Sequence, residues 1–559
     1  MKNNNLLTVK KLEVCLTNSL KSSALLNNIS FQISKNQIVG LVGESGSGKS
    51  LTALSILNLL NNKTYNSSGE ILFNNKNILE LSLNELQKIR GNDISMIFQE
   101  PMSALNPTMN IGGQLIEICK RHLDLNDDEI IKKINLLIKK VRLDDIKNLL
   151  KKYPHEISGG QKQRVMIAMS LLCNPSLLIA DEPTTALDVT VQKEIIQLIK
   201  DLQKSENLSV LFISHDLALV RKLADKIIII KEGSIVEEGA ANNLFEKAKD
   251  PYTKALFSVR PSKKIRLEEL PTIEKMHNNT FAAKIVTAKN RKKGREKIYS
   301  KPPILTIVNI NKSYISKLGI FSKEDQFKAL QKINLELYEG ETLGLVGESG
   351  CGKTTLAKTI LQIEKSESGS IVYKGTELTK LSSNEFKKFR RDIQLIFQDP
   401  YSSLNPKINV CDTIIEPIKY YKILTNKKDL INRAVELLED VGLTSEFLRR
   451  YPHELSGGQR QRVGIARAIS LNPKIIICDE AVSALDVSVQ AQVLNLLNKL
   501  KTKYNFTYIF ISHDLSVVKH MCDNIIVMNK GLIEESGDPD KIFVKPEKKY
   551  TKKLIQAIP

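Results

Sequence analysis

At 559 residues the chain is several times the length of an ordinary domain, so at least two separate cores are expected. Hydrophobic residues make up 42%, yet no apolar run approaches the roughly 20 residues that a membrane-crossing helix needs, which fits a globular, water-facing chain. The formal charge of +20 invites a nucleic-acid or anionic-membrane role, but the lysine excess accompanies abundant Asn and Ile, as an A/T-rich coding genome would produce. We read it as composition, and no nucleic-acid partner is expected.

The opening Met1-Lys2-Asn3-Asn4-Asn5 lacks the apolar stretch of a signal peptide, so a cytosolic protein is expected, with any membrane role supplied by a partner. Seven scattered cysteines form no C-x-x-C pair and no His/Cys cluster at metal spacing, which points away from disulfides, zinc and iron–sulfur centres.

The apolar run Ile38 to Val42 predicts a strand leading into Gly43-Glu44-Ser45-Gly46-Ser47-Gly48-Lys49-Ser50 and a helix from Ser50 to Leu60. The arrangement recurs as strand Thr342 to Val346, loop Gly347-Glu348-Ser349-Gly350-Cys351-Gly352-Lys353-Thr354 and helix Thr354 to Ile363. Both loops fit G-x-x-x-x-G-K-[ST], the phosphate-binding loop, in the strand-to-helix setting that motif requires. Glycines let the backbone wrap a polyphosphate and aim its N–H groups inward, while the helix N-terminus adds its positive dipole end. Lys49 and Lys353 are expected on the β and γ phosphates of the bound polyphosphate, and Ser50 and Thr354 on Mg²⁺.

Asp181 and Asp479, Asp188 and Asp486, His215 and His513, and Ser158 and Ser456 are all 298 positions apart (479 minus 181), so one domain is duplicated. The phosphate loops are 304 apart (347 minus 43), which places extra residues of the second copy around Lys317 to Phe327. The first domain is expected over 1–261 and the second over 304–559. Between them, 262–303 is polar and basic (Arg291-Lys292-Lys293-Gly294-Arg295, ending Pro302-Pro303) and reads as a flexible linker. A coil of that length reaches about 35 Å, enough for two domains of about 18 Å radius to lie side by side.

Within each copy strands alternate with helices, giving an α/β fold with a mostly parallel sheet. The stretches Gln99 to Gln161 and Gln398 to Gln459 read as helix (Glu129 to Val141; Asp429 to Val441) and suggest an inserted helical subdomain. The apolar runs Leu177 to Ala180 and Ile475 to Cys478 end in Asp181-Glu182 and Asp479-Glu480, at the strand end where open α/β sheets bind ligands. Each Asp is expected to help hold Mg²⁺, and each Glu to polarise the attacking water.

Ser158-Gly159-Gly160-Gln161 and Ser456-Gly457-Gly458-Gln459 each precede a helical run, and the chain here resembles the ATP-binding cassette superfamily. Gln99 and Gln398 resemble its Q-loop glutamines, which implies a catalytic role and a place at the Mg²⁺ beside Ser50, Asp181, Thr354 and Asp479, while Ala186-Leu187-Asp188 and Ala484-Leu485-Asp486 resemble its D-loops and His215 and His513 its switch histidines. His155 and His453, in the repeated Tyr-Pro-His-Glu, are assigned to structure. The resemblance implies two tandem nucleotide-binding domains, each a P-loop α/β core with a helical insertion, facing each other head to tail. Each ATP would lie between one copy's phosphate loop and the other's signature, an intramolecular cassette dimer that closes on binding and opens on hydrolysis. It also implies an aromatic stacked on adenine, which Tyr314 supplies in the second copy and Leu16, its counterpart, does not.

Phe98-Gln99-Glu100-Pro101-Met102-Ser103-Ala104-Leu105-Asn106-Pro107, its repeat at Phe397 to Pro406, and Pro251-Tyr252-Thr253-Lys254 resemble ATPase subunits of dipeptide, oligopeptide and glutathione importers. Asp479-Glu480-Ala481-Val482-Ser483-Ala484-Leu485-Asp486 is similar to the fused two-cassette type. The implied role is a peripheral ATPase on the cytoplasmic face of the inner membrane, serving two transmembrane permeases and an extracytoplasmic substrate-binding protein. Met102, Leu105, Tyr401 and Leu404 are expected as exposed permease-docking residues. A nickel or other small-solute importer stays open. A tandem-cassette translation factor fits less well, because both switch histidines are present and the linker carries prolines.

Overall fold

The computed structural model describes residues 5–17, 24–99, 104–185, 187–259, 265–278, 280–316, 325–399, 403–483 and 485–557. Pro101, Met102, Tyr401, Ala186, Ala484 and most of the extra residues expected at Lys317 to Phe327 lie outside them. The chain divides into two compact units, the first ending at Ser258 and the second beginning at Val259.

In the first unit the strands are β1 (Asn5–Leu16), β2 (Ala24–Ser34), β3 (Ile38–Val42), β4 (Tyr65–Phe73), β5 (Lys76–Asn77), β6 (Ile94–Ile97), β7 (Leu177–Asp181), β8 (Ser209–Ser214), β9 (Lys226–Lys231) and β10 (Ser234–Ala240). Six form a sheet ordered β10-β9-β3-β8-β7-β6. The pairs among β6, β7, β8, β3 and β9 are parallel, and β10 adds an antiparallel edge. β3, β7 and β8 are buried at every position, the continuous apolar run that a parallel sheet covered on both faces demands.

A second sheet, ordered β2-β1-β4-β5, is antiparallel and was not anticipated. Its buried face (Leu7, Val9, Leu12) shares one core with Val39 and Leu41 of β3 and with Ala53 and Ile56 of the helix Lys49–Ile56. The phosphate-loop helix is thereby clamped between two sheets. The helical insertion carries Ile111–His122, Asp127–Lys140 and Gly159–Leu171, the second of these started by an Asn126/Glu129 capping box.

The second unit repeats this plan. Its strands are β11 (Pro303–Ser316), β12 (Asp325–Tyr338), β13 (Thr342–Val346), β14 (Ser368–Tyr373), β15 (Thr376–Glu377), β16 (Ile393–Ile396), β17 (Ile475–Asp479), β18 (Thr507–Ile511), β19 (Asn524–Asn529) and β20 (Leu532–Gly537). The sheets are ordered β12-β11-β14-β15 and β16-β17-β18-β13-β19-β20, the same two orders as in the first unit. Its insertion carries Val410–Tyr420, Lys427–Asp440 and Gly457–Ile469.

Two expectations need correction. The stretch read as a flexible linker is attached to the second unit: it holds helices Ile273–His277 and Ala288–Tyr299, and Leu270, 1% exposed, enters that unit's core. Charge pairs and backbone hydrogen bonds fix it, none of which leaves an apolar period in the sequence. Leu105 and Leu404, expected on the surface, are 2% and 3% exposed. They pack inward and form no exposed apolar patch, although Leu404 lines a cavity that Phe397 also borders.

Candidate nucleotide-hydrolysis site

β6, β7, β8 and β3 run parallel, so their C-terminal ends share one edge of the sheet. Gln99, Asp181-Glu182, His215 and the phosphate loop follow those four ends. This convergence of residues distant in sequence is where open α/β sheets bind ligands.

The loop from Gly43 wraps ahead of the helix Lys49–Ile56, whose first turn holds no acidic side chain to compete for its N–H groups. Gly48 sits at φ 105°, and a Cβ there would come within 2.5 Å of Leu26, so only glycine fits. Lys49 Nζ donates to the carbonyls of Gly43 (2.9 Å) and Glu44 (2.8 Å), which curls the loop around its own cation. Lys353 repeats this on Gly347 (2.8 Å) and Glu348 (3.0 Å) and lies 3.8 Å from the Cys351 thiol.

Glu182 is the hub of the first site. Its Oε2 accepts from Gln99 Nε2 (3.2 Å) and Thr185 Oγ1 (2.9 Å) and meets His215 Nδ1 at 3.0 Å. In the second site Glu480 Oε2 accepts from Gln398 Nε2 (2.8 Å) and meets His513 Nδ1 at 3.2 Å. Both glutamates adopt left-handed backbone, φ 47° and 48°, a strained geometry for a residue with a side chain that is characteristic of functional positions.

Burial alone would raise the Glu182 carboxyl, but the hydrogen bond and charge of His215, with Lys49 beyond, bring it down to about 2. Glu480 is lowered in the same way by His513. Burial pulls both histidines down, and their glutamates more than reverse that, so both are raised. Asp181 and Asp479 go the other way: burial raises them, opposed by hydrogen bonds from Ser50 and Thr354.

The signature residues stand on the helical insertion. Ser158 and Ser456 cap their helices through boxes with Gln161 and Gln459. Gly160 and Gly458 are required by packing, since a Cβ would lie 2.7 Å from Val191 or 2.5 Å from Val489. Ser158, Gly159, Ser456 and Gly457 face outward. Asp486 caps the helix Val487–Tyr504 by accepting from Val489 N at 2.9 Å.

Tyr314 is 39% exposed on β11, and its hydroxyl reaches Thr355 Oγ1 (3.4 Å) and the Glu364 carboxylate, beside the phosphate-loop helix. Leu16, 36% exposed, lies opposite Tyr65 of β4. His155 and His453 stack on Tyr153 and Tyr451 at 5.7 and 5.8 Å in short 3-10 turns, a local structural role.

Sequence reasoning missed two pairs of supporting residues. The hydroxyls of Tyr252 and Tyr550 accept from the loop amides of Glu44 (3.3 Å) and Glu348 (3.0 Å). The carboxylates of Asp225 and Asp523 accept from Ile38 N and Thr342 N, each at 2.9 Å, where the strands before the loops begin. Both pairs recur at the duplication offset, which was the available signal.

Parallel sheet, phosphate loop and glutamate–histidine pair together define an ATP-binding cassette. The model of the ABC transporter family matches 26–185 and 330–483, and the chain belongs to that family twice over. A model of the oligopeptide/dipeptide transporter C-terminal region matches 236–284. Over 99% of its length the chain is 40% identical to the glutathione import ATP-binding protein GsiA of Shigella dysenteriae serotype 1, covering 90% of that protein, and equally to GsiA of Escherichia coli K12. The chain is therefore an ATPase with two tandem cassettes.

The residues also suit Mg²⁺. Asp181 Oδ1 is buried without a hydrogen-bond partner, and Thr354 Oγ1 donates to Asp479 Oδ1 at 3.2 Å, which sets a hydroxyl and a carboxylate side by side at each strand end. Hard oxygen donors flanking a phosphate loop are what this cation prefers.

Proposed function

We propose that the chain energises uptake of glutathione or short peptides through two membrane permeases fed by an extracytoplasmic binding protein. The observation that carries this is the 40% identity to glutathione-import ATPases along 99% of the chain. The oligopeptide-transporter region at 236–284 supports the same substrate class. Among the described residues no helix is long and apolar enough to cross a membrane.

In the proposed cycle Lys49 and Lys353 exchange their loop carbonyls for the β and γ phosphates. Ser50 with Asp181, and Thr354 with Asp479, would hold Mg²⁺, which when bound would supply neutralisation of the phosphate charge. Glu182 and Glu480, kept ionised, orient the attacking water, and His215 and His513 hold those carboxylates in place. Gln99 and Gln398, bonded to the same carboxylates, link the hydrolytic centre to the permease side. The outward-facing signature turns (Ser158 to Gln161; Ser456 to Gln459) supply N–H groups to the partner cassette's γ-phosphate when the pair closes.

For permease docking we propose the surfaces around Phe98 and Phe397, which are 44% and 47% exposed immediately before the glutamines. In the second unit Phe397 borders a cavity of about 430 Å³ with Tyr420, Tyr421, Arg390 and Arg467. Such an aromatic, cationic hollow suits a short helix with apolar and acidic residues.

Reconstitution with the permeases and binding protein in vesicles, using labelled glutathione and labelled dipeptides, tests this reading. ATP-dependent uptake of either class is expected. Uptake of nickel alone, or stable association with ribosomes in place of permeases, would contradict it.

A further inference from the structure

Arg266 Nη1 donates to Cys522 O (3.0 Å) and Nη2 to Met521 O (3.2 Å), capping the C-terminal end of the helix Leu515–Met521. That helix starts two residues after His513, with Asp514 as its N-cap. Leu270 and Asn495 exchange hydrogen bonds, Leu270 N to Asn495 Oδ1 (2.8 Å) and Asn495 Nδ2 to Leu270 O (2.9 Å). Asn495 lies on the helix Val487–Tyr504, whose N-cap is Asp486. Farther along, Arg295 grips Asp538 with both nitrogens (3.1 and 2.6 Å), and Arg291 pairs with Asp540. Tyr299 donates to Glu341 Oε1 at 2.8 Å, just ahead of β13 and its phosphate loop.

The stretch therefore touches the middle of the helix that follows Asp486, the far end of the helix that follows His513, and the start of the strand that leads into Gly347. The first unit lacks the matching anchors. At the positions of Asp538, Asp540 and Glu341 it carries Ala240, Asn242 and Gln37, and the counterpart of Asn495 is Gln197, which bonds within its own helix to Asp201. The helix ends differ too. In the first unit the last turn contributes Arg221 and Lys222. In the second it contributes Lys519 and His520, and burial with the nearby Arg266 charge pushes His520 down to about 4, so it is neutral. The linker thus brings an arginine to carbonyls that gather the negative end of the helix dipole.

We propose that residues 266–278 and 280–299 form a positioning strap for the second hydrolytic centre, in which Arg266 fixes the helix that follows His513. The strap does not touch nucleotide; it sets where His513 and Asp486 stand. The proposal rests on assigning those two residues to the site, so its test keeps the two ideas separable.

In the full chain, Arg266→Ala is expected to leave ATP binding and KM unchanged while kcat falls. The fall lies between about 2-fold, if the first site turns over independently, and about 10-fold, if the two alternate, because small misplacements of catalytic groups carry losses of that size or more. Arg266→Lys, still able to donate to the same carbonyls, should recover at least half of the loss. An unchanged kcat in folded Arg266→Ala overturns the proposal, as does a raised KM with kcat intact. If that variant does not fold, Arg295→Gln is expected to lower kcat in the same manner, and its failure to do so overturns the strap. His513→Ala reads the underlying assignment: wild-type turnover there removes it, whereas lost turnover there with intact turnover in the Arg266 and Arg295 variants rejects the strap alone.

Discussion

The two cassettes share one sheet order, one glutamate–histidine pair and one lysine-curled loop, yet differ around that common centre. The first has Leu16 where the second has Tyr314, Ser47 where it has Cys351, Thr185 on the glutamate where it has Ser483, and Gln37 where it has the buried Glu341. Both copies keep the hub, while the groups around it, which bear on binding, stability and positioning, differ. The differences can be probed one at a time.

The largest effect is expected at the hub. His215→Ala and His513→Ala should each lower turnover at their own site by about 10–100-fold, the scale of losing one positioned polar partner. Stability should change with a defined pH window. The depressed Glu182 contributes above its ordinary value near 4.5 and loses this as pH falls toward about 2. The raised His215 contributes below its ordinary value near 6.5 and loses this as pH rises through its higher folded value. Thermal melts of His215→Ala should therefore fall furthest below wild type between about pH 4.5 and 6.5.

Next in size is Glu341. Burial pushes it up to about 7 despite hydrogen bonds from Tyr338 N and Tyr299. An acid raised in the folded state favours folding when protonated, so its contribution is full below about pH 4.5 and lost as pH rises through about 7. The loss amounts to at most about 3 kcal/mol for a shift of this size. Melts of wild type should drop from pH 5 to pH 8, and Glu341→Gln, which imports the first unit's residue, should flatten that drop. The smallest difference is at the base: Leu16→Tyr should tighten ATP at the Lys49 site about 5-fold, the equivalent of about 1 kcal/mol of stacking. A site-resolved nucleotide titration without gain would mean that Leu16 does not face adenine.

The sequence was most legible where local chemistry dictates structure. The bounds of β3 and β13 coincide with the apolar runs Ile38 to Val42 and Thr342 to Val346, because buried parallel strands must be apolar throughout. The helices after the loops were expected to reach Leu60 and Ile363 but end at Ile56 and Ile360, just before Asn58 and Gln362 turn to φ 50°. The docked linker was hidden because its anchors are paired charges and carbonyls distant in the chain. Its trace was the appearance of Asp538, Asp540 and Glu341 in one repeat only, which has meaning once Arg291, Arg295 and Tyr299 are seen opposite them. The inward turn of Leu105 and Leu404 was equally unreadable, since a few residues of loop carry no period from which to tell the buried face.

The central claim is that both cassettes hydrolyse ATP through Glu182 and Glu480. Its most direct test is turnover and nucleotide retention in the Glu182→Gln, Glu480→Gln and doubly substituted chains. Each single change is expected to lower turnover, and the double change to lower it by at least about 100-fold while two ATP molecules per chain remain bound. Near-normal turnover in the double variant, or a single change without effect beside another that abolishes all activity, would contradict it.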